Sequence, residues 1–400
     1  MQSSERYVEL DALRGVAALV VFVYHCIFLM SAGPAWLMWL TKTPIGLLLF
    51  GQHQPVILFF VLSGFVLFLP YKRPGRHAPY AVFVVKRFCR LYVPYLGALP
   101  FVILAYVLFY KHDRPAGLSY LYAWRDLSFQ TCLVLLRDHL FFLGFFHREY
   151  WNGATWTLAE ELRISLIYPL IASLVLRFRG KTMLLVALSL SVVMALLIRL
   201  THHRTPFMPF HYVSLFIVGS LIAANLPMLL ASWHLAGKVK QMGFACTAVL
   251  FATYAPLLTE RFPRILPEIA ADWLIAFGVS IFILAALAQT RFSALLRHRL
   301  MLRLGTLSYG VYLLHLPILF VYVNLLWGHV PALYVFALTF VTTMALAQAF
   351  HLYLELPAIA LGKRLTLSLH SRAESKVRER SASLPTLNLE PTGAEYSGKF

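Results

Sequence analysis

Apolar runs of bilayer-crossing length recur along this chain, and the polar gaps between them alternate between strongly basic and nearly uncharged. The runs lie at about 11–31, 46–69, 91–110, 157–176, 182–200, 210–226, 242–259, 271–289, 306–327 and 332–353, each near the ~20 residues a helix needs to cross the hydrocarbon core. The pattern predicts ten transmembrane helices. A further stretch, Leu127 to Phe146, is interrupted by Arg137, Asp138 and His139, all of which a spanning helix would have to bury. Loop charges argue against that span. With the N-terminus in the cytoplasm, the cytoplasmic gaps carry fifteen basic residues: Lys72, Arg73, Arg76, Lys86, Arg87, Arg90, Arg177, Arg179, Lys181, Lys238, Lys240, Arg291, Arg297, Arg299 and Arg303. The opposite short loops carry four, Lys42, Arg204, Arg261 and Arg264. This is the bias that orients membrane proteins, and an extra span would reverse it halfway along. Segment 111–155 therefore reads as an outer-face loop with a half-buried or re-entrant helix. Its aromatics Tyr120, Tyr122, Trp124, Tyr150 and Trp151 suit either an interfacial belt or a surface on which a sugar could stack.

Composition agrees with that class: 60% of residues are hydrophobic, 13% are charged and the mean hydropathy is +0.71, which excludes an ordinary water-soluble domain. The net charge of +18 follows from the basic loops and calls for anionic membrane lipid as a partner, not nucleic acid. The expectation is an all-α polytopic protein of the bacterial inner or plasma membrane, a bundle of about ten helices with both termini cytoplasmic. Residues 1–365 would form one transmembrane domain. From about residue 366 the chain turns polar and aperiodic and reads as a disordered cytoplasmic tail, 366–400. Ser31-Ala32-Gly33 imitates a signal-peptidase site only weakly, so the first run reads as an uncleaved helix. Cys26, Cys89, Cys132 and Cys246 have neither CxxC nor CxxH spacing, so no disulfide framework and no metal site is indicated.

Candidate chemistry begins in the first run, LDALRGVAALVVFVYHCIFL, where Arg14 and His25 sit eleven residues apart. That interval is about three helical turns, or roughly 16 Å along one face. Ionisable groups inside a span usually face a protein interior or a wet cavity and mark function. TWTLAEELRISLIYPL carries Glu160, Glu161 and Arg163 into apolar sequence. By depth Glu161 falls level with His25, where it could orient the imidazole as a general base. One of the two carboxylates could instead pair with Arg163. At the cytoplasmic face Lys86, Arg87 and Arg90 of VVKRFCRLYVPYL lie level with Arg14. They are either topology determinants or a phosphate site, since the guanidinium fork binds phosphate oxygens bidentately. In LGTLSYGVYLLHLPI, Ser308, Tyr309, Tyr312 and His315 recur at spacings of three and four, a polar stripe that either glues helices or lines a channel. Ser63-Gly64 in FFVLSGFVL permits close approach of a helix or a ligand.

Taken in order, these segments resemble the acyltransferase 3 family, membrane-bound O-acyltransferases that decorate bacterial surface polysaccharides, lipopolysaccharide, Nod factors and some secondary metabolites. The resemblance extends over about residues 7–360 and includes a closing LELP with Glu355 and Pro357. Two departures stand in the WTLAEELRISLIYP segment: Thr157 replaces the usual serine, and LRIS replaces the common Glu-Gln-Phe-Tyr run. Alignment on Pro169 makes Glu161 the counterpart of the family's glutamate. The resemblance implies an acyl-CoA donor, most often acetyl-CoA, entering from the cytoplasm, and a saccharide or glycolipid hydroxyl as acceptor.

The expected site therefore has His25, Glu161 and Arg14 in catalysis, with Arg14, Arg87, Arg90, Ser63, Tyr309, Tyr312 and His315 holding the donor. Two rivals remain open: a non-catalytic transporter or flippase using the same polar path, and an unrelated membrane acyltransferase chemistry built on His315 and Asn324. An acyl-enzyme on Cys26 is disfavoured, because adjacent helical positions point about 100 degrees apart. Cys26→Ser is expected to retain acyl transfer, and loss of activity in that variant would restore the covalent route.

Overall fold

The computed structural model describes residues 7–51, 53–72, 79–113, 115–124, 127–141, 152–204, 206–261 and 265–367. Helix α1 (Val8–Leu29) is followed by two short helices, α2 (Ala35–Thr41) and α3 (Pro44–Leu49), then by α4 (His53–Phe68) and α5 (Tyr80–Phe109). The middle of the chain forms α6 (Phe129–Leu140), α7 (Thr155–Arg177), α8 (Gly180–Thr201), α9 (Met208–Ala224) and α10 (Leu226–Leu235). The remainder forms α11 (Gly237–Arg261), α12 (Ile265–Leu287), α13 (Arg291–Leu296), α14 (Arg299–Leu326) and α15 (Ala332–Phe350). A π-helical turn, His351–Glu355, continues α15, and the helix then runs on to residue 367. No β-strand occurs among the described residues. Helices suit hydrocarbon because each satisfies its backbone polar groups within the segment.

This is an all-α polytopic membrane protein. A helix occupies each of the ten apolar runs, but among the described residues seven are both long and apolar enough to cross, or eight if α9 and α10, bent 71° to each other, count as one span. The difference from ten has a visible cause in α7, whose first half carries Glu160, Glu161 and Arg163. Helix α6, at 12 residues, is too short to span; Asp138 and His139 are buried, and Asp138 pairs with Arg137 at 2.9 Å. Residues 368–400, nearly all of the expected tail, and Tyr150 and Trp151 lie outside the described residues. The other loop aromatics divide. Tyr120 is 83% exposed, whereas Tyr122 and Trp124 are buried against Phe320, so these two serve packing and neither a belt nor a stacking surface.

Two apolar cores share α1. Its first turns (Leu10, Ala12, Leu13) pack with α4, α8, α9, α12 and the second half of α7. The rest of it (Ala18 to Leu29) packs with α5, α14, α15 and the first half of α7. Glycines bring the principal helix pairs into backbone contact: a Cβ on Gly305 of α14 would lie 2.4 Å from the Asp11 carbonyl of α1, and one on Gly219 of α9 would lie 1.9 Å from the Val61 carbonyl of α4. Small residues at crossings are how membrane helices gain van der Waals contact where lipid offers no hydrophobic drive. Polar pins add to this. Asp272 of α12, fully buried, accepts from His53 of α4 and from His211 of α9 at 2.9 Å, and His211 meets Ser191 of α8 at 3.0 Å.

Gly219→Leu is expected to destabilise the bundle by at least the ~1–3 kcal/mol of ordinary overpacking, because the obstructing atoms are backbone. Gly243→Leu, at a position with nothing within 4 Å, should be neutral. Thermal unfolding of the detergent-solubilised variants checks the contrast.

Candidate active site

Four helices meet at one charged cluster. Arg14 of α1 donates from Nη2 to Ser63 Oγ of α4 (3.2 Å), and Ser63 Oγ donates to Glu161 Oε1 of α7 (2.9 Å). Arg87 of α5 donates from Nη2 to the same Glu161 oxygen (3.0 Å) and to Ser165 Oγ (2.7 Å). The Arg87 and Glu161 side chains are 12% and 15% exposed. In such surroundings an ion pair needs further hydrogen bonds to offset desolvation, and the two serines supply some of them. Two guanidinium groups against one carboxylate leave an excess positive charge. Glu160 plays no part in this cluster and pairs with Arg163, one turn along the same helix.

A cavity of about 1000 Å³ opens beside the cluster, walled by α1, α4, α5, α7, α14 and the π-helical turn. Its wall carries Arg14, Lys72, Arg87, Arg90 and Lys363 against Asp11, Glu161 and Glu355. Pockets for drug-sized ligands run from about 300 to 1,000 Å³, so this one suits a large, anionic molecule. Tyr309 and Tyr312 line it, although the Tyr309 hydroxyl is already spent on the Leu91 carbonyl (2.6 Å). Tyr312 shares a hydrogen bond with Thr157 (2.7 Å) and its ring meets Phe59 edge-on at 5.5 Å. This partition separates the cavity from the histidines: His315 lies one turn beyond Tyr312, and neither His25 nor His315 reaches the cavity wall.

The two imidazoles face each other, His315 Nε2 to His25 Nδ1 at 3.3 Å. Their tautomers follow from carbonyl neighbours, which can only accept. His315 Nδ1 lies 2.8 Å from the Tyr312 carbonyl and 3.1 Å from that of Val311, so it carries the proton and leaves Nε2 as an acceptor. His25 Nδ1 lies 2.8 Å from the Val21 carbonyl. It too carries its proton, shared between that carbonyl and His315 Nε2. The His25 Nε2 lone pair is then left without a hydrogen bond to any described residue, on a ring that is partly exposed.

Glu161 does not orient His25, contrary to the sequence expectation. Counting depth from the start of α7 presumes that the helix begins at the membrane surface. It begins inside the bundle: Asn152 and Thr155 are buried, and Asn152 Nδ2 donates to the Leu313 carbonyl of α14 (2.7 Å). Glu161 therefore lies deeper than the count implies, level with Arg14. The pairing of His315 with Asn324 fails as well. Asn324 accepts from Tyr122 (3.0 Å) and donates to Phe320 (2.7 Å), nine residues along α14 from His315. Sequence reasoning overlooked Ser165, Lys363, and the pairing of His351 with Glu355 at 2.8 Å. The i,i+4 spacing of that last pair was the available signal.

An acyltransferase-domain model, that of the acyltransferase 3 family, matches residues 7–352. The chain belongs to that family. It is similar to "Protein 2 in picA locus" of Rhizobium radiobacter, with 30% identity over 173 residues covering 41% of this chain and 81% of that protein. It is also similar to "Nodulation protein 10" of Rhizobium leguminosarum bv. viciae, with 26% identity over 323 residues covering 76% of this chain and 82% of the relative. No solved structure is a significant match. As a family member with several apolar helices able to cross a bilayer, the protein is a membrane acyltransferase.

Glu161→Ala leaves Arg14 and Arg87 without their shared counter-charge and is expected to cost about 3–5 kcal/mol of stability. Thermal unfolding measures it, and an unchanged midpoint would show that the carboxylate is not the partner of both arginines.

Proposed function

We propose that the protein moves an acyl group, acetyl in the simplest case, from acyl-CoA to a hydroxyl of a saccharide or glycolipid, with His25 as general base. The carrying observation is the pair of fixed tautomers, which leaves one imidazole nitrogen of His25 as an unengaged lone pair beyond the Phe59–Tyr312 partition that bounds the basic cavity. In the proposed reaction His25 Nε2 takes the proton of the acceptor hydroxyl as its oxygen attacks the thioester carbonyl. The resulting imidazolium keeps its Nδ1–H on Val21 and His315, so no group need reorient. Collapse of the tetrahedral adduct breaks the carbon–sulfur bond, and the thiolate leaves with the proton returned from Nε2. His315, which touches His25 and not the cavity, is a positioning residue.

Arg14, Arg87 and Arg90 would hold the phosphates of the donor, with Ser63 and Tyr312 along its path. Arg90 suits this best, since it is exposed in the cavity wall and charge-assisted bonds from a guanidinium to phosphate are strong and directional. The interval from Arg14 to His25, roughly 16 Å along α1, is comparable to an extended pantetheine arm. The acyl end must displace the Phe59–Tyr312 partition to arrive. A saccharide-type acceptor is supported by the likeness to a relative named for nodulation, and a cytoplasmic donor by the basic residues at the end of the bundle where α1 begins.

His25→Ala is expected to lower acceptor-dependent release of free coenzyme A thiol in reconstituted vesicles by about 100- to 10,000-fold, with expression and folding unchanged. A wild-type rate in that variant would remove His25 from the chemistry. Transport of the acceptor without thiol release would instead make the protein a carrier. Arg90→Ala should raise the KM for acyl-CoA by roughly tenfold at nearly constant kcat. Mass spectrometry of surface glycans from a deletion strain, read for a lost acetyl ester, identifies the acceptor class.

A further inference from the structure

The basic side chains of the cavity wall differ in how they are engaged. Arg87 is held on Glu161 directly and Arg14 through Ser63. Arg90 and Lys363 also stand in the wall, but both are exposed, and neither makes a hydrogen bond or ion pair with a described residue. Helix contacts bring these two together. A Cβ on Gly362 would lie 2.9 Å from the Cβ of Cys89, so the last helix crosses α5 at that point, and Arg90 and Lys363 are the next residues after the crossing on their respective helices. Glu355, the carboxylate of the same helix, is taken by His351 at 2.8 Å and does not neutralise them.

Their depth follows from the same contacts. Gly310 of α14 packs on Ala347 of α15, and the two helices form an antiparallel hairpin, so His351 falls near Thr306. Gly305 in turn abuts Asp11 and Gly15 of α1, which puts His351 level with Arg14. Lys363 lies twelve residues farther along, about 18 Å down the helix, on the side away from Tyr312. From the Phe59–Tyr312 partition outward the wall thus offers Arg14, already balanced by Glu161, and then the unbalanced pair of Arg90 and Lys363. An acyl-CoA molecule also carries negative charge in two places: a diphosphate after the pantetheine arm and, beyond it on the ribose, a 3′-phosphate. With the arm spanning the interval from His25 to Arg14, the diphosphate reaches the inner arginines and the 3′-phosphate reaches the outer pair. A phosphate monoester bears about 1.5 to 2 negative charges at pH 7, which suits a guanidinium fork joined by an ammonium group. Lys363 lies past residue 352, where the match to the family ends, so family membership gives it no role.

We infer that Arg90 and Lys363 form a subsite for the 3′-phosphate of the donor and so set a preference for coenzyme A over its 3′-dephospho form. This rests on the acyl-CoA reading above. Equilibrium binding of coenzyme A and of 3′-dephospho-coenzyme A to the full-length purified protein tests the assignment. Wild type should hold coenzyme A about tenfold more tightly, as expected for hydrogen bonds to a charged group. Lys363→Ala and Arg90→Ala, both at exposed positions, should each lose about tenfold for coenzyme A while binding of the dephospho form stays within about twofold of wild type. An equal loss for the two ligands would make these cations part of the general positive field of the wall. Equal binding of the two ligands by wild type, or no loss in either variant, would leave the pair to anionic lipid headgroups at the membrane face. Each of these results overturns the subsite while leaving the donor assignment intact, whereas wild-type protein that binds neither ligand overturns both.

Discussion

Glu161 holds two guanidinium groups, Arg87 directly and Arg14 through Ser63, inside a bundle built of apolar helices, and the rest of the architecture is arranged around that cluster. Removing each ion from water costs several kcal/mol even after relaxation, and the attraction within the cluster offsets this only if every remaining donor and acceptor is engaged. Ser63 and Ser165 engage part of that set from α4 and α7. The helices that supply these groups are pressed together by glycine contacts elsewhere along their length, α1 on α14 and α4 on α9. The cluster sits where the two apolar cores meet, and the cavity is the gap their meeting leaves. Stability and substrate access are thus settled at one place.

The chemistry is divided along the membrane normal. Positive charge lies on one side of the Phe59–Tyr312 partition and the paired imidazoles on the other. On the proposed reading, separation of this kind would let one region hold an anionic donor while the other takes up a proton, which a guanidinium next to His25 would oppose. The hydrogen bond between Thr157 and Tyr312 explains why threonine is acceptable at a position where serine is usual in the family: both offer the same hydroxyl.

Much of this was legible in the sequence because membrane helices announce themselves by length and hydropathy, and because Arg14, His25, Arg87 and Glu161 are conspicuous in apolar surroundings. What failed was depth. The register of Glu161 against His25 follows from a helix start at the interface, and no local signal in GATWTLAEEL shows that α7 begins within the bundle. Tyr122 and Trp124 were misplaced for the reverse reason, since loop aromatics are read as surface unless a neighbouring helix is known to cover them. The Asp272–His53–His211 pin is invisible in the sequence because its members come from three separate runs, each near a run's end, where nothing local distinguishes a pinned polar residue from a solvated one.

The recessed start of α7 also has an electrical side. Its cap position, Ala154, offers no side-chain hydrogen bond to the first turn, and the positive end of the backbone dipole, worth roughly half a unit charge, is carried into the bundle to the level of Leu313. Water that would damp this field at an interface is largely excluded there. Such a field falls off within the first turn, so it acts on what gathers at the start of α7 and not on Glu160 and Glu161, which their arginines hold instead.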